Sequence, residues 1–140
     1  MRHFSIFLFL ICFLSLPVQG QNEPKGKLFI IGGGKRPPAM VDSMIKSANL
    51  PREDYIVVLP MATSYPDEAI QSIAEEIADH SSVKTIGFNF KKGEEYKKSR
   101  LDSLRNAKLI YISGGDQSRF MEVVRNTPLQ EIIREAYYKG

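Results

Sequence analysis

Residues 109–117 read Leu109-Ile110-Tyr111-Ile112-Ser113-Gly114-Gly115-Asp116-Gln117. An apolar run ends in two glycines and an amphipathic stretch follows, so the segment reads as strand, tight turn and helix start. Adjacent glycines let a backbone approach a ligand closely and adopt angles closed to other residues. The helix behind them presents unpaired N–H groups, which favour negative charge. Such a turn suits a carboxylate, a phosphate or an oxyanion. It carries no nucleophile of its own.

The same alternation recurs outward from this turn. Residues 27–31 form a short apolar run that stops at Gly32-Gly33-Gly34, which predicts a first strand and a glycine turn. Met40, Met44, Ile45 and Ala48 keep helical spacing within residues 39–48, and Pro51 closes that segment. Residues 55–59 are almost purely apolar, as a strand covered on both faces should be. Residues 60–66 are rich in turn formers, and Ile70, Ile73, Ala74, Ile77 and Ala78 line one face of a helix expected over 67–80. A weaker strand is expected at 83–88, followed by a charged loop through Lys98 that reads as solvated. A short helix over 100–106, a fourth strand at 108–112 and a helix over 118–125 come next. Thr127 is expected to cap the last helix, with Pro128 at its first position and Gln130 completing a capping box. Leu129, Ile132, Ile133 and Ala136 should form its buried face.

Strands alternating with helices over short links imply an α/β fold: three layers, a mostly parallel sheet and helices on both faces. Ligands in such sheets sit beyond the carboxyl ends of the strands. Both glycine turns and the 60–66 loop belong to that edge. Gly140 falls where a helix C-cap glycine is expected and a further strand should follow, so the domain reads as incomplete at its C-terminus.

At 140 residues the chain holds one domain at most. Its start is a separate matter. Arg2 and His3 precede an uncharged apolar run over residues 6–16, Pro17 breaks it, and Gly20 offers a small residue for cleavage. Residues 1–20 therefore read as a signal peptide, too short for a spanning helix, and residues 21–140 as the mature chain. A retained membrane anchor is the competing reading. Cys12 follows Ile11 and not the small residue a lipidation signal needs. Cys12 is the single cysteine, so the mature chain has no disulfide, thiol nucleophile or cysteine metal site. Losing Arg2 takes the formal charge from +3 to +2. Its cations are scattered among acids instead of forming the coherent stripe that a nucleic-acid surface requires.

Several motifs fail on inspection. Gly32-Gly33-Gly34-Lys35 continues with Arg36-Pro37, which lacks the Gly-Lys-Ser/Thr ending of a P-loop and the third glycine of a dinucleotide fingerprint. His80, the one histidine left after signal removal, reads as a surface residue at a helix end. No Gly-x-Ser-x-Gly elbow occurs, and Ser64, Ser113 and Ser118 read as ordinary loop, strand-end and first-turn serines. No catalytic triad is present. Asp116 either caps the helix or faces a ligand. Gln117 in the first turn is able to hydrogen-bond a substrate amide or carboxylate, and Arg119 either joins it or is a solvated helix residue.

The chain resembles the amino-terminal part of the cyanophycinase and aspartyl dipeptidase family of serine peptidases. The resemblance rests on Leu28-Phe29-Ile30-Ile31-Gly32-Gly33-Gly34, Val58-Leu59-Pro60-Met61-Ala62-Thr63-Ser64, Ala107-Lys108 with the 109–117 block, and Asn126-Thr127-Pro128-Leu129. It implies a class I glutamine amidotransferase-like fold and a serine-type peptidase without cofactor or metal. It also implies that the nucleophilic serine, the histidine and the acid lie beyond this chain, which is then inactive by itself. By the same resemblance, a backbone N–H of Gly114 or Gly115 helps form an oxyanion hole, and Asp116, Gln117 and Arg119 line the substrate pocket. The implied partner is a peptide, with aspartyl groups favoured, and a homodimer is compatible with the family. A non-catalytic small-ligand-binding module on the same fold is the alternative.

The signal peptide implies a secreted or periplasmic protein. Cleavage after Gly20 is expected to leave Gln21 at the amino terminus. Mass spectrometry of exported protein checks this, and Met1 on that protein would refute it.

Overall fold

Tyr55–Leu59 carries no charge and three consecutive β-branched side chains, Ile56, Val57 and Val58. Such a run favours a strand with both faces covered. It forms β1, and Ile56 through Leu59 are each 0% exposed. The computed structural model describes residues 23–32, 34–51 and 53–140. The expected signal segment lies outside the described residues, as does Gly33.

In chain order the elements are α1 (Pro38–Ala48), β1 (Tyr55–Leu59), α2 (Pro66–Ala78), β2 (Lys84–Gly87), α3 (Lys98–Arg105), β3 (Leu109–Ile112), α4 (Gln117–Val124) and α5 (Pro128–Lys139). The strands make one parallel sheet in the order β2-β1-β3, with Val57 opposite Ile86 on one side and Ile110 on the other. Strand alternation sends Val57 and Leu59 to one face, where Phe90, Leu101, Leu104, Val124, Leu129 and Ile132 pack from α3, α4, α5 and the loop after β2. Ile56 and Val58 face the other way, against Val41 and Met44 of α1, Ile73 and Ile77 of α2, and Tyr111. The chain therefore has the expected three layers.

Residues 27–31, expected as a first strand, do not join the sheet. Leu28 is 68% and Ile30 87% exposed, and only Ile31 packs against the core. Apolar pattern alone does not make a strand, because its N–H and C=O groups need a neighbouring edge. Among the described residues, the hydrogen bonds that hold this run lie at its start. Lys25 and Gly26 donate backbone bonds to Tyr138 and Tyr137 of α5, and Lys27 Nζ bonds the Ser47 carbonyl of α1.

The last helix begins differently from expectation. Thr127 makes no side-chain cap; its hydroxyl donates instead to the Val124 carbonyl at 2.7 Å, satisfying an orphan acceptor at the end of α4. Gln130 Oε1 accepts from the N–H of Asn126, one residue before the expected partner. Ala136 is exposed, because no described residue covers the last apolar position of α5. The charged loop after β2 is only partly solvated. Glu95 is 7% exposed, with one carboxylate oxygen lacking a partner among the described residues.

Two substitutions test this placement. Leu129→Ala removes a fully buried side chain and is expected to cost about 2–5 kcal/mol in chemical denaturation. Ile30→Ala, at an exposed position, is expected to stay within about 0.5 kcal/mol of wild type. Equal losses would show that residues 27–31 belong to the core.

Candidate functional site

Neighbouring strands β1 and β3 send their following loops to opposite faces. The 60–66 loop leads to α2, which packs with Ile56 and Val58, whereas the 113–116 turn leads to α4 on the Val57 and Leu59 face. Where adjacent loops part in this way, a crevice opens beyond the carboxyl ends of the strands.

The turn after β3 is fixed at both ends. Ser113 N–H donates to the Leu59 carbonyl at 3.1 Å, and Asp116 N–H donates to the Ala62 carbonyl at 2.8 Å. Between them, Gly114 and Gly115 donate no backbone hydrogen bond among the described residues, and both are exposed. Two free N–H groups thus sit between two anchored ones.

The two glycines do different things. Gly115 has φ of +142°, and a Cβ built on it would collide with the Ala62 carbonyl. It is glycine because the two loops touch there. A Cβ on Gly114 meets nothing within 4 Å, so that side of the turn is open. A ligand is therefore free to approach over Gly114.

Asp116 accepts the Ser118 N–H at 2.8 Å and so caps α4. Gln117, the first residue of α4, is exposed and makes no side-chain hydrogen bond among the described residues. Arg119 is not simply solvated: its Nη1 donates to Ser64 Oγ at 2.6 Å, joining α4 to the 60–66 loop. Gly114, Gly115, Asp116, Gln117, Arg119 and Ser64 thus come together on one edge. Ser113 is 7% exposed, and its hydroxyl has no partner among the described residues.

His80 is elsewhere. It precedes β2, whose first residue Lys84 lies opposite Tyr55, so it sits near the amino edge of the sheet. Its Nδ1 lies 2.8 Å from Asp42 Oδ1, linking the end of α2 to α1, and its side chain is 18% exposed. The expected surface position is thus half-buried and partnered. Among the described residues, no three His, Cys, Asp or Glu side chains gather as a metal ion would require.

Residues 28–140 match the model of peptidase family S51. The chain belongs to that family. This is the cyanophycinase and aspartyl dipeptidase family. The chain is also similar to the crystal structure of a peptidase from an acI-B1 Actinobacterium, at 22% identity and a TM-score of 0.65. The alignment covers 86% of this chain and 53% of the other, so the chain spans about half the length of that structure. At this identity the likeness shows a shared fold. No curated protein matches the chain significantly.

Sequence reasoning did not find Ala62 as the partner of the glycine turn, because the contact is made by backbone. Its only trace is a small residue in a turn-rich loop. The same contact separates the two glycines by experiment. Gly115→Ala places a Cβ against the Ala62 carbonyl at positive φ and is expected to lower stability by about 1–3 kcal/mol. Gly114→Ala is expected to leave the thermal melt nearly unchanged. Equal stability of the two variants would show that this turn is not locked to Ala62.

Proposed function

We propose that this chain is the amino-terminal part of a secreted, cyanophycinase-like serine peptidase, and that it supplies the oxyanion hole and part of the substrate pocket. The reading is carried by the two undonated N–H groups of Gly114 and Gly115, held between anchored residues at the carboxyl edge of the sheet. Membership of family S51 supports peptide hydrolysis as the chemistry.

In this reading the nucleophilic serine, its histidine and the acid come from sequence beyond residue 140. The serine oxygen bonds to the scissile carbonyl carbon while histidine takes its proton, and the carbonyl oxygen becomes an oxyanion. That oxygen accepts from Gly114 or Gly115 N–H, whose positions do not need to change as charge develops. Preorganised donors of this kind stabilise the transition state more than the substrate. The amine leaves with the proton from histidine, and water then releases the acyl group. Gln117, at the head of α4, holds the substrate amide or carboxylate. Asp116 contributes by capping the helix that carries Gln117, and Arg119 by fixing the 60–66 loop through Ser64. Aspartyl-containing peptides outside the cell are the proposed substrates.

The present chain is expected to show neither peptide hydrolysis nor labelling by a fluorophosphonate, since Ser64 is engaged by Arg119 and His80 sits near the opposite edge of the sheet. Joined to the coding sequence that follows, it is expected to do both. Gly114→Ala in that longer protein keeps the N–H but sets a Cβ on the open side of the turn, and should lower kcat by obstructing the approach of the scissile carbonyl to that donor. Stoichiometric labelling of Ser113 or Ser64 in the short chain, or an active Gly114→Ala enzyme, would overturn the proposal.

A further inference from the structure

Ser113 joins the end of β3 to the turn that carries Gly114 and Gly115. Tyr111 and Ser113 are buried while Ile112 between them is 44% exposed, the two-residue alternation of a strand. Ser113 thus continues the face of Tyr111, which belongs to the core shared with α1 and α2. Its N–H is anchored on the Leu59 carbonyl, so its backbone is fixed. Its hydroxyl oxygen is shut off from solvent and has no partner among the described residues. Burying a hydroxyl in that state is unfavourable, and alanine or valine would occupy the same strand end without the penalty. A serine is favoured here only once a partner reaches it.

The open side of β3 is where a partner can arrive. Among the described residues β3 bonds β1 alone, and its other edge is free. From β2 the chain crosses by α3, on the Val57 and Leu59 face, to β3 on the far side of β1. From β1 it crosses by α2, on the other face, and moves the opposite way to β2. One hand of crossover relates both steps, as parallel sheets require. α5 packs on the Val57 and Leu59 face. A strand following α5 therefore moves in the same sense as the step from β2 to β3, and takes the free edge of β3. Neighbouring strands lie about 4.8 Å apart, so the turn after that strand stands beside Ser113 at the carboxyl edge.

We propose that Ser113 is a positioning residue: its buried hydroxyl bonds a main-chain group of the turn after the next strand, and so sets the distance between the nucleophilic serine carried there and the free N–H groups of Gly114 and Gly115. The inference rests on the peptidase reading and deepens it, by naming the contact that registers the two parts of the site. A serine that only ended the strand would be replaceable by alanine in the short chain and in the longer protein alike.

The test compares Ser113→Ala in the 140-residue chain and in the protein extended by the coding sequence that follows. In the short chain the change removes an unpartnered hydroxyl, and the melting temperature is expected to stay equal or rise. In the longer protein it breaks a buried bond and strands the partner, so the melting temperature is expected to fall by about 2–4 °C. There kcat should fall roughly tenfold with KM within about twofold, because the nucleophile shifts against the oxyanion donors while the substrate pocket is unchanged. Ser113→Cys, which keeps the volume and bonds only weakly, should lower kcat similarly. A lower melt already in the short chain, no loss in the longer protein, or full kcat in the cysteine variant would overturn the proposal.

The longer protein also separates this proposal from the peptidase reading. If it hydrolyses peptides and Ser113→Ala alters neither its melt nor its kcat, the positioning role falls and the peptidase stands. If it hydrolyses nothing, yet its melt alone responds to Ser113→Ala, the peptidase reading falls and the bond from Ser113 to the following sequence stands.

Discussion

Burial of β1 on both faces is the constraint on which the rest depends. Four consecutive residues, Ile56 to Leu59, are wholly removed from water. Each large aliphatic side chain so buried contributes roughly 1.5–3 kcal/mol before chain entropy is counted. With β2 and β3 bonded on either side and helices over both faces, β1 cannot slip. A shift of one residue would exchange its two faces and expose neither set to solvent, yet would mismatch both cores. Its carboxyl end is held by the same packing, since Pro60 is fully buried and Met61 and Ala62 nearly so. That is why the Ala62 carbonyl is a fixed point, and why the turn after β3 can be built against it.

The candidate site is therefore mostly backbone, positioned by core side chains some residues away. Gly115 allows the loops to touch, Asp116 closes the contact and caps α4, and Arg119 ties α4 back to Ser64. Gly114 is left with its open side toward the crevice. Backbone donors fixed in this way need no reorganisation when charge develops in front of them.

Most charge on the molecule does something else. Hydrogen bonds from Lys97, Lys98 and Lys139 hold the carboxyls of Glu94, Asp102 and Glu135 below their usual range. These pairs are on the surface, where screening and side-chain entropy leave them little effect on stability. Arg36 is different, being stacked on Tyr111 and half-buried with Glu76. Burial raises the Tyr111 phenol above its ordinary range, the Arg36 charge works against that rise and Glu76 adds to it. Tyr111 is thus a neutral platform for the guanidinium over it.

Local signals in the sequence were enough for the layer architecture, for β1 as the doubly covered strand and for the strand–turn–helix around Gly114-Gly115. Each follows from hydrophobic period, proline and glycine placement or composition, and these act over a few neighbouring residues. The same signals misread residues 27–31, because whether an apolar run becomes a strand depends on an edge supplied from elsewhere in the chain. They misread Thr127 and Glu95 for a related reason. A hydroxyl goes to whichever orphan carbonyl lies nearest in space, and a loop carboxylate is buried or free according to what packs over it. The difference between Gly114 and Gly115, the link from Arg119 to Ser64 and the stacking of Arg36 on Tyr111 were decided only by tertiary structure. In each of these the partners are 53 or more residues apart, and no pattern along the chain records a distance that folding alone creates.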